Sequence, residues 1–263
     1  MTERKDILAN GRGWRRLSYT RRCGWIDWGH ARPESARALK GQMDQEEANS
    51  TSLKRLDIRL EGKPAFVVVY GQEMGGMGIK VSTVAHWVVR KGLSPQQKES
   101  AALGIFMAAS RTFEHMQASF PFSLATNSGF SGEDLVSNLI GFYGAYRNIG
   151  EARLRDICGD TGEKESLRIW DEYLPKGIGA VKNRSFRPIL FPTTEGVSSP
   201  SDTSFPLMFS TIRPSPSGRD WVAIKNRFID NTIINRRAPI DVSARGEVTL
   251  GRVEQAQLRN YAR

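Results

Sequence analysis

Asp27 and His30 stand three residues apart in the run Trp25-Ile-Asp-Trp-Gly-His30. At that spacing one helical turn points both side chains the same way. A carboxylate beside an imidazole fixes the ring tautomer and raises the basicity of the other nitrogen. Such a pair serves general acid–base chemistry or supplies a metal ligand with its orienting partner. The ordinary alternative is a carboxylate that caps a helix and an imidazole bonded to a backbone carbonyl. The neighbouring Trp25, Ile26 and Trp28 place the polar groups in a partly buried setting, which favours chemistry.

Further candidates lie downstream. Glu114 belongs to a helical stretch beside the Phe106, Phe113 and Phe120 row, where a desolvated carboxylate holds its proton more tightly. In Ser128-Gly-Phe-Ser-Gly-Glu-Asp-Leu-Val-Ser-Asn138, Ser131 and Asp134 have capping spacing. The polar stripe Asp134, Asn138 and Gly141 beside Leu135 and Leu139 could equally face a site, with Glu133 or Asp134 as its acid. Cys23 followed by His86 in a β-meander has the chain order of papain-like and wall-peptidase folds, but no local cysteine signature accompanies it. Gly71–Gly78 lacks the lysine–serine/threonine end of a phosphate loop and reads as a hairpin loop. Arg12, Trp14, Arg15, Arg16 and Tyr19 interleave charge with aromatic rings as single-strand binders do.

These residues need elements to position them. Residues 1–22 read as a basic arm or loop and residues 34–48 as a helix. The runs Leu56–Leu60, Ala65–Tyr70 and Gly78–Val89 predict a small antiparallel meander. Ser94 and Pro95 open the clearest helix, expected over Pro95–Ser119, and a second is expected from Ser131 to Arg147. Beyond residue 175, recurrent prolines predict long loops, with Thr193–Asp202 mobile and Trp221–Ile234 a short helix or strand. The expected fold class is α+β: a helical core with a small meander over residues 1–175, wrapped by a loop-rich extension over 176–263.

With 263 residues, 39% hydrophobic and 25% charged, the chain can bury a sizeable core. A net charge of +10 favours anionic partners such as cell wall or nucleic acid. Two cysteines make no disulfide framework and no zinc-knuckle spacing. No apolar run approaches a membrane span, and Met-Thr-Glu-Arg-Lys-Asp lacks the apolar core of a signal peptide. The expectation is synthesis in the cytoplasm, with any export by a signal-independent secretion machine.

The block Tyr19-Thr20…Gly24-Trp25-Ile26-Asp27…His30, with Phe130-Ser-Gly-Glu-Asp-Leu135…Ser137-Asn-Leu-Ile-Gly141, resembles a bacterial domain family of unknown function found in predicted envelope lipoproteins. Its members share a Gly-aromatic-Ile-Asp-x-x-His block, a helix carrying a glutamate, and a Phe-Ser-x-Glu-Asp-x-x-Ser-Asn block. The resemblance spans about residues 15–150 and implies roles for Asp27, His30, Glu133, Asp134, Ser137 and Asn138. It matches Glu114 loosely and takes weight from Cys23, because the family's cysteine lies elsewhere. Met-Thr-Glu-Arg-Lys-Asp does not read as a lipoprotein signal, so a constitutive envelope location is not the expectation.

The expected function is hydrolysis of an envelope polymer, peptidoglycan foremost, as an antibacterial effector with an immunity or secretion partner. Asp27, His30, Glu114, Glu133, Asp134 and Asn138 form the expected catalytic set. The alternatives are a metal-dependent hydrolase or nuclease holding zinc, manganese or iron on the same residues, and a non-catalytic basic protein that binds nucleic acid or an acidic partner.

Overall fold

A computed structural model describes residues 2–48, 53–76, 79–117, 130–191, 205–224, 242–250 and 255, with backbone alone for 72–76, 79–84 and 114–117. The protein is α+β. Its described residues pack as two compact units, each built from separated stretches of chain: Met1–Glu34 with Glu114–Thr211, and Ser35–Phe113 with Ile212–Arg263.

The second unit holds a five-stranded sheet, order β6-β5-β4-β3-β7, made of β3 (Arg59–Leu60), β4 (Lys63–Gly76), β5 (Ile79–Arg90), β6 (Trp221–Ile224) and β7 (Glu247–Val248). The β3–β4–β5 meander is antiparallel, as its turn residues predict. The glycine-rich stretch expected to form a loop continues β4 instead, so that Gly71–Gly76 pairs with Ile79–Val84. Absent side chains weaken a strand without forbidding one, and a regular partner suffices to extend it. Both sheet edges come from the proline-rich C-terminal stretch: β6 pairs antiparallel to β5 and β7 parallel to β3. Alternate residues Ala65, Val67, Val88, Val222 and Ile224 fill the core beneath the sheet.

Helices α1 (Glu34–Gln45) and α2 (Pro95–Gln117) lie almost wholly in this unit. The Gln42 amide of α1 bonds both backbone groups of Val69, Nε2 to the carbonyl at 3.0 Å and the N–H to Oε1 at 2.8 Å. At the start of α2, Ser94 Oγ accepts from the Gln97 N–H while Gln97 Oε1 accepts from the Ser94 N–H. That reciprocal capping box satisfies two donors the helix leaves unpaired.

The first unit holds a two-stranded antiparallel hairpin, β1 (Leu17–Thr20) and β2 (Gly24–Asp27). With it are helices α3 (Asp134–Tyr146), α4 (Glu151–Cys158) and α5 (Glu163–Tyr173). Every residue of the hairpin strands is buried. Tyr19 and Trp25 meet edge to face, and Trp25 meets Trp170 of α5 likewise, at centroid separations of 5.5 and 5.6 Å. In α3 every residue from Asp134 to Ala145 is buried, where periodicity suggests a single apolar row. Small residues on its other faces allow that: a Cβ on Gly141 would lie 2.9 Å from the Ala31 carbonyl carbon.

The basic N-terminus is not a free arm. Residues Arg4–Ile7 form one 3-10 turn, and Ile7 is fully buried against Leu17 and Ile169. Arg4 pairs with Asp171, Arg15 with Asp160, and the Trp14 indole N–H donates to Glu151. Arg155 also reaches Asp160 and stacks over Trp28, 4.3 Å from the ring centroid. Burial opposes charge on Asp160, but the Gly162 N–H and the two guanidiniums outweigh it and hold the carboxyl below its ordinary range. Arg4 and Arg15 find carboxylates 167 and 145 positions away, pairings no local pattern can reveal. The stretch Thr193–Asp202 and residues 225–234 of Trp221–Ile234 lie outside the described residues; Trp221–Ile224 is strand.

Candidate functional site

Asp27 is the last residue of β2, and the chain turns immediately after it. The N–H groups of His30 and Ala31 both donate to the Asp27 carbonyl, at 3.0 and 2.9 Å. The three-residue spacing therefore works through a tight turn following a strand, not through a helix. Within the turn the Gly29 N–H donates to Asp27 Oδ1 at 2.7 Å. Arg16, from the segment leading into β1, places Nη2 3.0 Å from Asp27 Oδ2. The carboxylate is 1% exposed and its guanidinium partner 39%, so Asp27 is buried with its charge compensated from the solvent side.

Helix α3 delivers the other carboxyls. Glu133 is its N-cap and Asp134 its first residue, a place where the helix dipole favours negative charge. Asp134 Oδ2 accepts from the Ser131 N–H at 3.1 Å and from the Ser131 hydroxyl, realising the capping pattern of the sequence. Its other oxygen, Oδ1, lies 3.3 Å from His30 Nδ1, while Asp27 Oδ2 is 3.9 Å from the same nitrogen. Capping and site-facing roles thus coexist on one side chain, one oxygen each.

The ring stands between two carboxylates. Nδ1 is buried and makes no hydrogen bond of ordinary angle among the described residues, yet the ring is about one third exposed. Solvent accordingly reaches it from the side away from Nδ1. Burial alone would lower the His30 pKa. The interaction with Asp134 and the charges of Asp27, Asp134 and Glu133 overcome that and push it up to about 9. At neutral pH the ring is an imidazolium, a proton donor where the sequence suggests a base.

Glu133 is fully buried. Burial first, then the charge of Asp134, pushes its carboxyl up to about 8 against the hydroxyl of Thr2, which donates to Oε1. Its Oε2 has no hydrogen-bond partner among the described residues. The two blocks are joined at Ser137: its hydroxyl accepts from the Asp27 N–H at 3.0 Å and donates to the Glu133 carbonyl at 2.7 Å.

Asp27, His30, Glu133 and Asp134 therefore converge. Asn138 is buried one turn beyond Asp134 on α3. Glu114 sits in the last turn of α2, and its side chain lies outside the described residues. Cys23 and His86 fall in different units; Cys23 is buried against Cys158 and Thr20. The Arg12-to-Tyr19 segment, expected to offer charge and rings to nucleic acid, has Trp14, Arg15 and Arg16 bonded within the unit and the Tyr19 hydroxyl on the Phe191 backbone. Arg16 and Thr2 are site residues that sequence reasoning misses. Ser137 was signalled only by its place in the second block.

No group of three or more His, Cys, Asp or Glu side chains is arranged to hold a metal ion among the described residues. Arg16 and the Gly29 N–H occupy the Asp27 oxygens, and Ser131 occupies Asp134 Oδ2. No described helix is long and apolar enough to cross a membrane. Comparison with protein-family models, curated proteins and solved structures finds no match.

Proposed function

We propose that the protein is a hydrolase whose acid–base centre is His30 with Asp27, Asp134 and Glu133. One observation carries the reading: an imidazole wedged between two buried carboxylates, beside a buried carboxyl that keeps its proton to about pH 8. Neighbouring groups whose proton affinities are moved toward the working pH are the means by which enzymes exchange protons with a reacting bond. In this reading the solvent-facing side of His30 gives its proton to the leaving group. Asp27 and Asp134 hold the ring in place and stabilise its charge. Glu133 is protonated at neutral pH and enclosed, a proton reserve behind the ring, and Thr2 and Ser137 fix the segments that carry it.

The substrate class follows from charge. A net charge of +10 concentrates the protein on anionic polymers, of which peptidoglycan is the one proposed. The resemblance of the two blocks to a domain of envelope proteins fits a substrate in the envelope, and an exported antibacterial effector is the role proposed. Incubating the protein with purified sacculi and separating released muropeptides tests this. Release by the wild type and none by His30→Ala is expected. No release from sacculi, with nicking of plasmid DNA in a parallel assay, would replace this reading with the nuclease one.

A further inference from the structure

The chain has two cysteines, 135 positions apart, and the fold brings them together. Cys23 ends the turn between β1 and β2; Cys158 ends α4, whose cap is Gly159 in the left-handed conformation. The turn and the helix end run side by side. Arg21 N–H donates to the Gly159 carbonyl, Arg22 N–H to the Cys158 carbonyl, each at 3.0 Å, and Thr161 N–H to the Tyr19 carbonyl at 3.1 Å. The Thr20 hydroxyl accepts from the Cys23 N–H and donates to the Gly24 carbonyl, fixing the turn itself. Both side chains are fully buried as free thiols, and each is the other's neighbour.

We propose that Cys23 and Cys158 are joined by a disulfide in the mature protein. This goes beyond the hydrolase reading and does not rest on it. A disulfide requires backbones anchored so that the Cα atoms approach within about 4–7 Å, and the backbone bonds flanking each cysteine supply that anchorage. The bond closes by thiol–disulfide exchange with a disulfide oxidant, of the glutathione or dithiol-oxidase class. The two thiols give up two protons and two electrons, one sulfur–sulfur bond forms here, and one breaks in the oxidant, which leaves as two thiols.

The order of events is set by burial. Enclosure, with Cys158 as neighbour, pushes the Cys23 thiol up, so little thiolate is available once the hairpin is packed. Exchange therefore occurs while the chain folds, in a compartment that supplies the oxidant, and the finished bond is shielded from reductants. That places final folding outside a reducing cytoplasm.

The test is to unfold the reduced wild-type protein and refold it in reduced and oxidised glutathione. The expected product is two hydrogens lighter by intact mass and offers no thiol to maleimide after denaturation. Its Tm should exceed that of the protein refolded with reductant by roughly 5–15 °C. Cys23→Ser refolded in the same buffer should show neither the mass change nor the higher Tm. Wild-type protein that refolds in that buffer with two alkylatable thiols, or with one glutathione on each cysteine, would overturn the proposal. So would a Tm indifferent to reductant.

Discussion

The backbone N–H of Asp27 donates to the hydroxyl of Ser137 at 3.0 Å, and that bond makes one site of two sequence blocks 110 positions apart. Both ends are buried. Ser137→Ala leaves an amide donor enclosed with no acceptor, which costs about 1–3 kcal/mol. A fall of several degrees in Tm by calorimetry, with a loss of muropeptide release larger than stability explains, is expected. An unchanged Tm would mean that some other contact holds β2 to α3.

Replacing His30 tests chemistry and charge together, because its ring is partly exposed yet its positive charge stands between two buried carboxylates. His30→Ala should lose about 10²–10⁴-fold in turnover and, near neutral pH, lower the Tm as well, since Asp27 and Asp134 keep their places without the cation. Recovery of part of the rate by added imidazole would identify the ring as the proton carrier.

Stability should fall steadily from about pH 5 to pH 9. His30 keeps its proton to about 9 when folded and to about 6.5 when unfolded. Its contribution is complete below the lower value and is lost as pH rises through the higher. Glu133 reverses the usual carboxylate behaviour. Its folded pKa is raised from 4.5 to about 8, so the native state binds a proton that the unfolded chain has released. Both groups make the folded protein the better proton binder, and linkage then requires stability to decline as pH rises. Glu133→Gln should flatten part of that decline in a series of Tm measurements. A Tm that climbs between pH 5 and pH 8 would contradict both assignments.

Arg16 and Asp27 offer a coupling test. Arg16→Met strips the buried carboxylate of its guanidinium and should cost about 1–3 kcal/mol, less than a wholly enclosed pair because Arg16 meets solvent. With Asp27→Asn as the background, the same change should cost little. A thermodynamic cycle in urea would report the difference.

A methyl group at Gly141 probes the same region by volume alone. It would approach the Ala31 carbonyl carbon to 2.9 Å and the Arg32 oxygen to 3.0 Å, just after His30. Gly141→Ala should destabilise by about 1–3 kcal/mol and raise KM or lower kcat through displacement of the turn.

Much of the site is legible in the residues themselves. The Asp27–His30 spacing, the Ser131–Asp134 cap and the Glu133-Asp134 pair each point to groups that converge, and the capping box at Ser94 marks where α2 begins. These signals are local, and local geometry follows from neighbouring residues. Arg16 and Thr2 escape because their partners, Asp27 and Glu133, are chosen by tertiary packing, 11 and 131 positions away. The same reason disguises the N-terminus as an arm: arginines beside few apolar residues look solvated until Asp160 and Asp171 are placed opposite them. The state of His30 is hidden as well, because one carboxylate would leave it a base, and a second arrives only with α3.

Gly24 has a left-handed backbone, φ +65°, and a Cβ there would lie 2.3 Å from the Ile189 carbonyl oxygen. The hairpin bearing Asp27 is thus seated against chain made 165 positions later, and its hydroxyl clasp at Ser137 comes 110 positions later. At ribosomal rates of about 5–20 residues per second, roughly 5–20 s separate Asp27 from Ser137, and longer separates Gly24 from Ile189. The residues of the second unit's first stretch are synthesised in that interval. A nascent chain therefore carries Asp27 and His30 without Glu133 and Asp134, and the centre is complete only after Ile189 has been made. A centre assembled on this schedule is incomplete for most of its own manufacture.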